Sequence, residues 1–115
     1  MKKITFGSDK ADPIELFNSS SASSVEFGKG SGEIHAYCIH FKESGEIGFH
    51  RAGFDQLFLV TQGKGWVVGS DGEKIMLETG EGVFLEKGER HSKGINGNMT
   101  AIMIQADSIN LSNKN

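Results

Sequence analysis

The stretch Gly45-Glu46-Ile47-Gly48-Phe49-His50-Arg51-Ala52-Gly53-Phe54-Asp55-Gln56-Leu57-Phe58-Leu59-Val60-Thr61-Gln62-Gly63 carries at its centre an apolar run, Gln56 to Gln62, closed by a glycine. Side chains alternate across a strand, so Gln56, Phe58 and Val60 share one face while Leu57, Leu59 and Thr61 share the other. Both faces are apolar. An antiparallel sheet with one wet side would place polar residues at one of these two sets, so both sides of this strand need a cover. The N-terminal arm or a second subunit is the expected cover for the outer side, and this predicts a two-fold homodimer.

Outward from this run, the chain repeats the same design. Short apolar, β-branched and aromatic runs bounded by glycine predict strands near 33–42, 65–69, 74–77, 82–86, 91–95 and 99–105. Ser70-Asp71-Gly72 and Asn96-Gly97 are expected hairpin turns, because Asn and Gly tolerate positive φ. Pro13 to Asn18 could form one helical turn or an edge strand, and no other segment suggests a helix. With no helical crossovers available for parallel pairing, the fold class is all-β, an antiparallel sandwich or barrel. The 16 glycines among 115 residues are about twice the average usage of about 7% and fit a fold that turns often.

The length suits one domain with its own core. Residues 1–24, with the polar run Asn18 to Ser24, are expected to be an arm and loop packing on the barrel or on a partner subunit. Residues 25–106 are the barrel, and 107–115 a flexible tail. A lone cysteine permits no intrachain disulfide, Met1 to Asp9 has no apolar segment behind its two lysines, and no run suits a membrane span. These features predict a cytoplasmic protein. The 12 basic and 15 acidic residues are interspersed, as on a mixed solvated surface, which argues against nucleic acid as a partner. Nucleotide-cradle, serine-elbow, CxxC and HExxH motifs are missing.

Two histidines sit in related settings, His50 in the stretch above and His91 in Gly80-Glu81-Gly82-Val83-Phe84-Leu85-Glu86-Lys87-Gly88-Glu89-Arg90-His91-Ser92-Lys93-Gly94-Ile95-Asn96. Over about residues 33 to 105 the chain resembles the cupin superfamily in both of that family's motifs. His50 falls on the first histidine position of the first motif, with Gly45 one residue short of the leading glycine; Ala52 stands at the second histidine position, Gln56 at the glutamate and Gly63 near the closing glycine. In the second motif Gly80, Gly88 and His91 match, while Glu86 replaces a proline and Ile95 an asparagine. The resemblance implies an antiparallel double-stranded β-helix, the jelly-roll cupin barrel, binding a small molecule. It also implies a divalent Mn, Fe, Ni or Zn ion held weakly by His50, Gln56 and His91, because Ala52 removes one imidazole and Gln56 replaces the anionic ligand.

Three functions stay open on this basis: a small-molecule binder with or without metal, a metal-dependent enzyme of dioxygenase or isomerase type, and a metal-free sensory or structural module. His50 and His91 read equally as a metal pair and as neutral cavity histidines. Phe58, Phe84 and Glu86 are candidate pocket-lining residues. His35 and His40, five positions apart, face opposite sides of one strand, so one of them points inward. Cys38 reads as a small buried residue.

Overall fold

The computed structural model describes residues 1–112, the side chain of Asn96 excepted. Nine strands follow one another among these residues: β1 (Lys2–Thr5), β2 (Asp12–Pro13), β3 (Ser23–Ser24), β4 (Gly28–Phe41), β5 (Glu46–Arg51), β6 (Asp55–Val68), β7 (Lys74–Glu78), β8 (Glu81–Leu85) and β9 (Arg90–Leu111). A single 3₁₀ turn, Ser8–Lys10, interrupts them. No helix of the described residues is long and apolar enough to cross a membrane.

Every pairing is antiparallel, in the order β1-β8-β6-β9-β4, with β5 also on β9 and β7 also on β6; β2 and β3 form a separate pair. The two longest central strands do most of the joining. Strand β9 pairs β5 and the end of β6 through its first part, then β4 and the start of β6 through its second. The runs read as separate strands at 56–62 and 65–69 are one strand, β6, and those at 91–95 and 99–105 are one strand, β9.

The reason lies at Asn96-Gly97, which makes a bulge rather than a hairpin. Gly63 pairs Met99 and Gly65 pairs Ile95, so one residue of β6 faces three of β9 and both strands bend without ending. Gly63 allows the bend: its φ is +76°, and a Cβ there would lie 2.1 Å from the Asn98 carbonyl oxygen. The Ser70-Asp71-Gly72 turn does form a hairpin, between β6 and β7, closed by Gly72 N–H to Gly69 O at 3.0 Å and Glu73 N–H to Asp71 Oδ1 at 2.9 Å. Strand β5 was not legible as a run of its own. Pro13 begins no helix; with Asp12 it pairs Ser23 and Ser24.

Alternation sorts the apolar residues into two cores. Phe41, Phe58, Val60, Val67, Leu77, Val83, Leu85, Ile95, Met99 and Ala101 fill the barrel interior. The opposite faces of β6 and β8 give Leu57, Leu59 and Phe84 to an outer core with Ile4, Ala106 and Ile109. Burying each large side chain contributes roughly 1.5–3 kcal/mol, so both clusters matter. The outer cover is the chain's own arm: β1 pairs β8, Ile4 is buried, and Phe6 meets Phe27 edge to face at 5.5 Å. The arm covers the β6–β8 side, while towards β4 the same face carries the partly buried Ile102 and Ile104 and an exposed Ile34.

Strand β9 runs past the expected barrel boundary at 106. Residues through Leu111 pair β4 from Gly28 onward, with Asp55 Oδ2 accepting from Ile109 N–H at 2.9 Å, so 107–111 belong to the sheet rather than to a flexible tail. Residues 113–115 of that expected tail lie outside the described residues.

Candidate functional site

Interior parity brings four polar side chains together where β5, β6 and β9 meet. His50 is directly opposite His91 in the β5–β9 ladder, and their rings lie 4.6 Å apart between centroids at an angle of 52°. His50 Nδ1 lies 2.7 Å from the Gly48 carbonyl, which can only accept, so Nδ1 is the donor of this bond. His50 is exposed, whereas His91 is fully buried with no hydrogen-bond partner on either ring nitrogen. Burial, reinforced by Lys93 and then His50, pushes the His91 pKa down to about 3, so this ring is neutral.

Two residues further along the same face of β9 stands Lys93, only 1% exposed. Its ammonium Nζ donates to Gln56 Oε1 at 2.8 Å and lies 4.9 Å from the Phe58 ring centroid. Among the described residues no carboxylate lies in ion-pair contact with it. Burial alone pushes its pKa down to about 7. Sequence reasoning missed Lys93, although a signal was present: His91, Lys93 and Ile95 alternate, so an inward His91 carries Lys93 inward with it. Lysine is rarely buried without a partner, and that prior hid it.

The other expected site residues divide by parity. Gln56 is buried beside Lys93, and Phe58 lies in the interior core. Phe84 does not line the interior: it pairs Leu57 across β6 and β8 and packs in the outer core, one position out of phase with Val83 and Leu85. Glu86 is exposed in the turn before β9, its carbonyl accepting from Glu89 N–H at 3.1 Å, and also stands outside the interior. Ala52 is buried by its backbone bonds, accepting from Gly88 N–H and donating to Glu89 O, each at 2.8 Å. Asp55 holds the same region by accepting from Lys87 N–H at 2.8 Å.

Of the two remaining histidines, His35 points inward. It shares its face of β4 with Ile39 and Phe41, touches Phe54 at 5.3 Å between centroids and contacts Glu33. His40 points outward, where it meets Thr100 Oγ1 at 3.3 Å and Cys38 Sγ at 3.7 Å; Cys38 is exposed rather than buried. Along the inward face of β4, burial declines from Phe41 through Ile39 to Tyr37, which is 47% exposed, so the interior opens towards His35, Tyr37 and Phe54. A depression of about 600 Å³ lies elsewhere, lined by Lys3, Lys64, Gly65, Met76, Leu77, Glu78 and Glu81. Lys3 and Glu81 there already pair with each other at 3.3 Å.

The donor set does not fit the divalent ion that the cupin resemblance implies. Gln56 Oε1, the one oxygen ligand expected, is already taken by an ammonium group, and a metal at that oxygen would sit beside Lys93 with no carboxylate to offset the added charge. Among the described residues no three His, Cys, Asp or Glu side chains cluster as a metal-holding group.

No protein-family model matches the chain, and no curated protein matches it. Solved structures do match. A cupin superfamily protein from Desulfitobacterium hafniense superposes with a TM-score of 0.63 at 16% identity, over 84% of this chain and 92% of that one. An RmlC-like cupin from Shewanella frigidimarina gives 0.61 at 22% identity, over 66% and 68%. A predicted oxalate decarboxylase from Thermotoga maritima gives 0.55 at 19%, over 67% and 65%. The bent antiparallel strands, the two motif histidines facing each other across β5 and β9, and these superpositions agree: the chain has the cupin fold.

Proposed function

We propose that this small cupin binds an oxygen-bearing small molecule, a carboxylate or carbonyl compound, in its barrel interior at Lys93, His91, Gln56 and His50, without a divalent metal. The observation that carries the reading is the buried Lys93 ammonium, bonded to a neutral amide and, among the described residues, to no carboxylate. Together with the unpartnered His91 ring, it offers hydrogen-bond donors and positive charge with nothing of opposite charge to satisfy them. Phe58 beneath Nζ and the half-open wall of Tyr37 and Phe54 supply apolar surface for the rest of a ligand. His50 stands between this cluster and solvent.

Thermal melts with acetate, malonate and benzoate test the reading. Each bound carboxylate should raise the melting temperature of the native chain and leave Lys93→Met and His91→Phe unmoved. Failure of every carboxylate, with stoichiometric Mn²⁺, Fe²⁺, Ni²⁺ or Zn²⁺ retained by the native chain and lost in His50→Ala and His91→Ala, would overturn it in favour of the metal site.

A homodimer remains part of the reading, with its interface moved from β6 to β4. The run Ile34–Phe41 on this edge strand holds no Asp, Glu, Lys, Arg or Pro, the residues that normally guard a free edge. Its exposed Ile34 continues the apolar outer face through Ile104, beyond the reach of the chain's own arm.

A further inference from the structure

Residues 12–24 form a hairpin that projects from the barrel. Strands β2 and β3 close it, Ile14 N–H donates to Ala22 O at 2.9 Å and Ser19 N–H to Leu16 O at 3.3 Å, and every residue in it except the half-buried Ile14 is exposed. At its tip Leu16 is 67% exposed and Phe17 is 90% exposed. The backbone there is strained as well. Phe17 and Asn18, the two central residues of the turn, have φ of +63° and +53°, a geometry that Asn, Asp and Gly adopt readily and a bulky ring does not. Asparagine or glycine at position 17 would make the same turn with less strain and no apolar exposure, so the ring points to a contact outside the single chain.

A matching hollow opens at the root of the same hairpin. Phe27, Ile34, Leu57, Ile104 and Ile109 line an apolar groove of about 210 Å³ on the outer face where β4 begins, and no residue of segment 1–24 lines it. Its volume falls below the roughly 300–1,000 Å³ of pockets that hold drug-sized ligands and suits one or two side chains. The one charged residue lining it is Lys29, and the residue before Leu16 is Glu15; among the described residues neither is in an ion pair. Within one chain the tip and the groove do not meet, since Phe17 and Ile34 both stay exposed.

We propose that the Leu16-Phe17 tip of each copy seats in the groove of a second copy, a reciprocal exchange across a two-fold axis that sets Glu15 beside the partner's Lys29. The proposal rests on the homodimer reading above and names what each copy inserts beside Ile34. The hairpin runs through Val25 and Glu26 into Phe27 and then β4, so tip and groove spring from the same edge of the molecule, and a two-fold axis along that edge carries each tip to the other's groove. An aromatic anchor in an apolar pocket with a charge pair at its margin is the pattern of an interface hot spot. The Glu15 charge beside the tip sets it against an anionic lipid surface.

Sedimentation velocity from submicromolar to tens of micromolar chain tests the exchange. The native chain should dimerise, and Leu16→Ser and Phe17→Ser should each raise the dissociation constant by about tenfold or more. The melting curve of the dilute monomer should not move in either variant, because both side chains are exposed there. Glu15→Lys and Lys29→Glu should each weaken the dimer, and the double variant should recover it; a double variant weaker than both overturns the placing of Glu15 against Lys29. A dimer whose dissociation constant is unmoved by Leu16→Ser and Phe17→Ser overturns the exchange and leaves the β4 dimer standing, whereas a native chain that stays monomeric overturns both. If that monomer instead binds phosphatidylcholine vesicles and Phe17→Ser releases it, the tip is a lipid contact and the exchange is equally overturned.

Discussion

Lys93 and His91 make the same demand of one small volume, since burial makes each more stable there without its proton. For Lys93, whose pKa falls from 10.5 to about 7, the cost of burying the charge is fully present below pH 7, where folded and unfolded chains are both protonated. As pH rises from about 7 to 10.5 only the unfolded chain keeps the proton, so folding stability increases across that window. The titratable groups nearest Lys93 are His91 and His50, and among the described residues no carboxylate pairs with it. Lys93→Met should therefore be more stable than the native chain at pH 6, by on the order of 1–4 kcal/mol less the cost of freeing Gln56 Oε1. That advantage should shrink towards pH 10, as read from urea melts across the range. His91 acts in the acid window. Its pKa falls from 6.5 to about 3, so its neutral form supports the fold above pH 6.5 and that support is lost as pH falls towards 3. His91→Phe should flatten the acid limb of the stability curve between those values, measured against the native chain so that the shared carboxylates cancel.

At the scale of strands, β9 packs closely on Trp66 of β6. A Cβ on Gly94 would lie 2.2 Å from Trp66 Cζ2, and the indole also carries the Lys74 ammonium 4.7 Å from its ring. Gly94→Ala should cost about 1–3 kcal/mol or more by overpacking, and much of that should return in a Trp66→Val background, a coupling that a double-mutant cycle of thermal melts measures. The arm has a comparable weight. Ile4 is 1% exposed over Leu57, Leu59 and Phe84, so Ile4→Ala should destabilise by about 2–5 kcal/mol and open the outer face to a hydrophobic dye. The strands themselves were legible where glycine bounded an apolar run, as at β4, β7 and β8. Their continuity was not. Asn96-Gly97 has the composition of a hairpin, and only the pairing of β9 with β6 on both sides of it makes it a bulge. Strand β5 escaped notice because Gly48 interrupts its pattern and its partner, the start of β9, lies some forty residues away in sequence.

For the molecule as a whole, the two-sided apolar strand demanded a cover, and β1 supplies it within the chain over β6 and β8. What stays open is the β4 side, where Ile34 is 61% exposed. Sedimentation should therefore give twice the 12.4 kDa chain mass, and Ile34→Lys should return the monomer with its melting curve intact. A native chain that sediments as a monomer at tens of micromolar would remove the dimer from the reading.

Alternating apolar residues and glycine turns determined the all-β class, because strand parity and turn geometry are local and repeat along the chain; the facing of His50 and His91 came only with the pairing of β5 and β9. The pairing of Gln56 with Lys93, the isolation of His91 from any partner and the outward placement of Phe84 were decided only by tertiary structure. They depend on which strands become neighbours and on how much water that leaves. Lysine in a sequence is read as a surface residue; Lys93 becomes a buried amine only when β5, β6 and β9 close over it.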